Sequence, residues 1–487
     1  MAKCEVENIE YGGVTTDDGL SQDHRQYLVN RHGTVDLDPL PEMDDANPLN
    51  WPKSKKILNL LLVAFHAFMA TFTAASIQCA FVDIAQDLHT TVHQATYLTS
   101  LVIAILGAAP LLWRPLSHVY GRRPIFLLSL LFSLVGNVGC AVSHSYGTMA
   151  LCRAITGFFI SPAASIGSGV VSETFFQHER ARYIGIWTSM VTIGVPLAPV
   201  IFGFVALRVG YRWIYWILAI TNGVQFVLYF ICGSETRYIG KESLSTTEKS
   251  SVVARWLWFK RIDPQTLTLL DFVSPLKLVV RPSVIIPTAA YSMIFLWGSI
   301  MLAIEIPQIY PEKFGFNTQQ VGLQNISLLV GIIVGEQIGG IMSDKWMSLS
   351  TKDKKRHSPE FRLWLSHVGY LLTIAGMVVF LVQLEKATSW DITPLIGAGI
   401  ASAGNQVVTT VSITYSVDCY PQDAAAIGVF VTFVRQIWGF IGPFWFPEMI
   451  ADLGLGKSTA VSTALIVAAS VLPTMLLQGM GKTWRKG

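Results

Sequence analysis

Long apolar runs, repeated along almost the whole chain, limit what this sequence can fold into. A helix needs about 20 apolar residues to cross the roughly 30 Å hydrocarbon core of a bilayer. Read against turn residues and charged breaks, the sequence offers about twelve such runs. Six lie near 57–81, 94–113, 124–142, 148–171, 183–207 and 212–232. Six more lie near 284–304, 321–343, 363–383, 392–415, 426–447 and 459–480. Inside lipid every backbone N–H and C=O has to be paired within its own segment, so runs of this length are helices. The expected fold is all-α and membrane-integral, with about twelve transmembrane helices in two pseudo-symmetric six-helix bundles. Its parts are a disordered polar tail at 1–56, a bundle at 57–232, a central loop at 233–283, a second bundle at 284–480 and a short tail at 481–487.

Composition narrows function as well. Only 14% of residues are charged, where a soluble domain carries about a quarter, and the mean hydropathy is +0.47. A net charge of +3 without a basic, aromatic-interleaved stretch argues against nucleic acid as a partner. The six cysteines lack paired spacing, and His66, His89, His93 and His144 lack metal-ligand spacing, so neither a disulfide framework nor a metal site is expected. There is no phosphate-binding Walker loop and no nucleophile–base set, so neither ATP nor an enzyme activity is expected. The first 50 residues are too polar for a cleavable signal, which leaves the first apolar run to insert the chain.

Basic residues orient the spans. Arg114, Arg122 and Arg123 follow the second span, Arg180 and Arg182 the fourth, and Lys345, Lys352 and Lys354 the eighth. With the central loop they fall on one face, which the positive-inside rule makes cytoplasmic, together with both termini. Arg208 and Arg212 are exceptions that do not outweigh the rest. The plasma membrane is the expected location, and a monomer the expected state.

Within span five, Gly185, Gly194, Pro196, Pro199 and Gly203 make a packing joint, since proline bends a helix and glycine admits a close neighbour. The halves echo each other: 114–123 after the second span matches 340–346, with Asp344 and Lys345, after the eighth. Ionisable groups within spans are expensive and so need a role or a partner. Arg153 is one, though a snorkelling interfacial arginine would look the same. Glu305 and Glu336 are candidate protonation sites, unless each simply pairs with a neighbour. Glu336 is read as lying opposite Gly331, Gly335 and Gly339 on its helix.

The segment Asn47-Pro48-Leu49-Asn50-Trp51-Pro52, the Gly121-Arg122-Arg123 loop, Arg153 with Gly157, the span-five pattern, 210–216 and Phe433-Val434-Arg435-Gln436 resemble the fungal twelve-span drug:proton antiporter family of the major facilitator superfamily. The resemblance covers about residues 46 to 480. It implies two rocking bundles and a proton gradient as driving force, with no bound cofactor. It assigns proton transfer to Arg153, and gating to Arg122, Arg123, His118, Glu173, Asp344, Lys345 and Arg435. It makes spans one, four, seven and ten the cavity wall, offering Gln78, Tyr291, Trp297, Gln308, Asn405, Gln406 and Tyr415. Ala198 and Phe202 depart from the antiporter signature, and Arg114, His118 and Val119 from the gating loop, where His118 replaces an aspartate. The altered loop suggests weaker, pH-sensitive closure or a relic site. The expected activity is proton-coupled export of a small organic molecule: a drug, metabolite, organic acid or polyamine. An importer or facilitator, and a non-transporting sensor or scaffold that kept the fold, are the alternatives.

Overall fold

The computed structural model describes residues 20–239, 261–263, 267–342, 359–420 and 423–484. Its first six spans are α1 (Lys53–Asp87), α2 (Val92–Tyr120), α3 (Arg122–Val142), α4 (Tyr146–Thr174), α5 (Arg182–Val209) and α6 (Arg212–Cys232). The second six are α7 (Pro282–Phe314), α8 (Thr318–Gly340), α9 (Pro359–Lys386), α10 (Thr393–Cys419), α11 (Ala424–Phe444) and α12 (Phe446–Thr483). Eleven of these are long and apolar enough to cross a membrane on composition alone. The twelfth, α10, has 27 residues but carries Asn405, Gln406 and many hydroxyls. It tolerates them because it lies mostly buried among other helices, and because Thr409, Thr410, Thr414 and Ser416 donate back to carbonyls one turn earlier. No strand occurs among the described residues.

Several spans are broken where function is to be sought. The first helix of α1 stops at Ala75, and a 3-10 turn, Gln78–Ala80, precedes the final piece, Phe81–Asp87. A π turn interrupts α7 at Leu296–Met301, and Gly454, at φ 79°, kinks α12. The two halves meet where α5 crosses α8 and α2 crosses α11. A Cβ at Gly203 would lie 3.0 Å from the Thr318 carbonyl and 3.3 Å from Gly322 Cα, so a side chain there would press on the α8 backbone. Gly107 on α2 packs as closely against Gln436 on α11.

Residues 20–52 differ from the expected disordered tail. A helix, Gln22–His32, starts on a Ser21 cap and ends on left-handed Gly33. Arg31 then donates to the Asn50 carbonyl at 2.9 and 2.7 Å and pairs with Asp45 at 2.6 Å. Leu28, Leu37 and Leu49 close a small core with Phe176 from the α4–α5 loop. The helix carries no apolar stripe, which is why hydropathy alone misses it.

The chain after α6 turns back onto the start of α3. Glu235 accepts the backbone N–H groups of Arg122 (2.8 Å), Arg123 (2.9 Å) and Arg237 (2.8 Å), capping α3 with a carboxylate from a distant segment. Gly121, at φ 93°, is required there, because a Cβ would meet the Glu235 carboxylate at 2.5 Å. Burial pushes the Glu235 carboxyl above its ordinary range, against the pull of the three amides. Its stabilising contribution is thus fully present below about 4.5 and is lost as pH rises through its raised folded value. The melting temperature is expected to fall over that window in the wild type, and Glu235→Gln, which cannot ionise, should flatten the fall. A profile that keeps its slope in the variant would disprove this assignment.

Candidate functional site

A cavity of about 80 Å3 lies between the halves, at mid-span. The α1 break gives it Gln78, α7 gives Tyr291, Phe295 and Ser299, α10 gives Asn405 and Gln406, and α11 gives Arg435 and Gln436. Thr71, Thr99, Thr192 and Thr409 add hydroxyls, and Ile103, Leu106 and Ile300 an apolar floor. Arg435 donates to the Tyr291 hydroxyl at 2.8 Å and stacks over Phe295 at 4.7 Å. The buried Gln78 Oε1 and Asn405 Oδ1 atoms have no hydrogen-bond partner. Small-molecule sites occupy roughly 300–1,000 Å3, so the halves have to part before a solute of that size fits.

The face remote from the chain ends is closed by contacts between the halves. Thr318 on α8 donates to Asp83 on α1 at 2.8 Å, and Tyr97 on α2 stacks on Phe444 of α11 at 4.5 Å between ring centroids. Gly203 packs against Thr318 and Gly322 on the same side, and no ion pair crosses the closure among the described residues.

A family description of the Major Facilitator Superfamily matches residues 62–443. The chain belongs to that superfamily. It is 27% identical to the efflux pump radE of Floropilus chiversii over 89% of this chain and 82% of the relative. It is 26% identical to the MFS transporter cpaT of Aspergillus oryzae, over 88% and 87%. Among solved structures, a peptide transporter mutant in complex with alafosfalin superposes with a TM-score of 0.62, at 13% identity over 91% of this chain and 97% of that one. A bacterial homologue of the human lysosomal transporter Spinster, inward-facing and unoccupied, superposes with a TM-score of 0.59, at 14% identity over 87% and 97%. These two establish the fold alone.

Of the residues expected in this transporter's cavity, Gln78, Tyr291, Asn405 and Gln406 line it. Three do not. Trp297 packs away from it against Trp445 and Phe446, Tyr415 sits with Leu363 and Leu477, and Gln308 turns to the Ile304 carbonyl. Span four also departs from expectation, since none of its residues is in the wall. Its Arg153, fully buried, reaches behind α1 and donates to the Thr73 and Ala74 carbonyls at 3.0 and 3.1 Å. Those carbonyls lose their helical partners where α1 breaks, so the guanidinium caps a helix C-terminus inside the membrane. It is neither at the interface nor paired with a carboxylate among the described residues.

Glu336 is not opposite the α8 glycines. Gly331, Gly335 and Gly339 pack onto α10, and Glu336, one residue past Gly335, accepts from Gln406 and Thr410 of that same helix. It therefore touches a cavity residue. Glu305 is 2% exposed and lies outside the wall, with Gln308 Nε2 at 3.5 Å.

The gating set divides. Arg122 pairs with Glu173 at 2.8 Å, and Thr236 donates to the same carboxylate at 2.8 Å. All three belong to the first half and its trailing segment, so this pair does not bridge the halves. Arg123 donates to the Phe230 carbonyl at 2.8 Å. His118 has no hydrogen-bond partner among the described residues and lies near Arg114, Arg122 and Arg237. Asp344 and Lys345 fall outside the described residues. In the span-five pattern Gly194 meets α1, and Pro199 and Gly203 meet α8, whereas nothing approaches Gly185. Pro196 and Pro199 lie within the helix. Sequence reading did not find Glu235 or the threonines of the wall, and it named Gln436 only within a family motif and not as a cavity residue. Gln436 was visible as a polar residue beside Arg435.

Proposed function

We propose that this transporter exports a small organic molecule in exchange for protons, with the two bundles rocking about the central cavity. The observation that carries the reading is that cavity: polar and apolar groups from both halves converge on it, and contacts between the halves, Asp83 with Thr318 and Tyr97 with Phe444 among them, close one side. Export is supported by the α5–α8 crossing, whose glycine and proline contacts match the antiporter resemblance, and by a relative named as an efflux pump, radE. Glu336 is the proton carrier best placed to sense the cargo, because it holds the Gln406 amide that faces the cavity. The clustering of basic residues on one face supports cytosolic termini, the plasma membrane is the proposed location, and the wall residues of one chain suffice for a monomer.

Untargeted metabolite profiling of medium and cells, with and without the chain, tests this. A compound enriched outside only when the chain is present, and no longer enriched once an uncoupler collapses the proton gradient, is the expected result. Enrichment inside the cells would overturn export. Enrichment indifferent to the uncoupler would overturn proton coupling.

A further inference from the structure

We propose that the cargo of the central cavity is an organic anion, with a carboxylate or equivalent group that takes Arg435 as its counter-charge. The inference rests on the transporter reading above and narrows it. Among the described residues the cavity wall holds one cation, Arg435, and no carboxylate. Among the described residues its contacts are neutral: the Tyr291 hydroxyl at 2.8 Å and the faces of Tyr291 and Phe295 at 5.8 and 4.7 Å. Its Nε is buried and has no partner. A guanidinium within the span of a membrane protein is costly unless something balances it, and here the described residues supply hydrogen bonds and ring faces but no opposite charge. Glu336, which touches the wall residue Gln406, is engaged with that amide and the Thr410 hydroxyl.

Arg435 is also preorganised for recognition. Stacking on Phe295 and the bond from NH1 to Tyr291 hold the guanidinium plane, leaving donors for a planar, two-oxygen group. The rest of the wall says what else the anion carries. Gln78 Oε1 and Asn405 Oδ1 are unpartnered acceptors, so the cargo brings hydroxyl or amide donors to them. Ile103, Leu106 and Phe295 take an apolar or aromatic body. A polyamine is disfavoured, since its ammonium groups would meet Arg435 with no acid in the wall to offset the repulsion.

The test uses the purified full chain in nanodiscs and a panel of matched triples, each an acid with its own amide and amine. One such triple is 4-hydroxyphenylacetate, 4-hydroxyphenylacetamide and tyramine. Acids are expected to raise the thermal unfolding temperature where their amides and amines do not. Arg435→Gln should weaken acid binding about tenfold or more, and Arg435→Lys should restore part of it. Unliganded melting curves of both variants separate lost binding from lost folding. Amines or amides that bind as well as acids, acid binding unchanged in Arg435→Gln, or a panel in which no acid binds, would each overturn the proposal. If the profiling experiment finds an exported compound that is neutral or cationic, transport stands and only the anion assignment falls.

Discussion

Arg153→Ala is expected to leave little folded protein in the membrane, with whatever remains melting well below the wild type. The side chain is fully buried, and its two bonds satisfy the Thr73 and Ala74 carbonyls at the point where α1 breaks. Hydrogen bonds to a charged group contribute about 1.5–3 kcal/mol each; the Thr73 carbonyl would keep the Ser76 hydroxyl at 2.8 Å, so any added penalty for a stranded carbonyl falls on Ala74. The expected loss is therefore about 3 kcal/mol or more, a large part of a typical stability. Arg153→Lys keeps the charge but not the fork that reaches two carbonyls, and should fall between the two. Fluorescence-detected size exclusion after heating measures this directly. An Arg153→Ala protein that folds and melts like the wild type but cannot use a proton gradient would instead assign Arg153 to proton transfer alone. The consequence for interpretation is practical: loss of transport on substituting Arg153 does not by itself distinguish a carrier from a scaffold.

The second large effect is expected at the end of α4. Glu173→Ala would leave Arg122, only 4% exposed, without the carboxylate it meets at 2.8 Å. Removing one partner of a buried pair costs about 3–5 kcal/mol, and the partial exposure of Glu173, 19%, places this case near the lower figure. It would also free Thr236 and loosen the segment whose Glu235 caps α3. The double variant Arg122→Leu with Glu173→Leu removes both charges and should recover much of the lost melting temperature. A double variant no better than Glu173→Ala would mean that the charge left behind is not the cause.

The twelve-span plan was legible because hydropathy is the physical requirement of the bilayer itself. It was least legible at α10, whose hydroxyls and amides are tolerable only because other helices surround it. The segment before α1 escaped for the opposite reason. Its order comes from Arg31 and Asn50 bonding to backbone and from three scattered leucines meeting Phe176, not from a continuous apolar stripe. In the site, polar residues stranded in apolar spans were a sound signal for Gln78, Tyr291, Asn405 and Gln406. The signal could not say which face of a helix meets the cavity when the helix is apolar all round. The π turn at Leu296–Met301 compounds this, since one extra residue turns the following side chains by about 100° relative to an unbroken helix. Trp297 lies within that turn, and Gln308 lies beyond it. For Arg153 the sequence showed a buried cation but not the broken helix end it serves, because the break in α1 bears no proline and no glycine at 75–80.

Alternating access requires the contacts on the closed face to part in every transport cycle. The most direct measurement is flux through the full chain carrying Asp83→Cys and Thr318→Cys, whose native side chains meet at 2.8 Å between the halves. Flux of the transported compound would be followed with the pair joined by a short, reducible thiol-specific bridge and again after reduction, with each single variant as control. Transport should stop when the bridge forms and return when it is cut. Full-rate transport with the bridge intact would contradict a mechanism in which the two halves separate on that face.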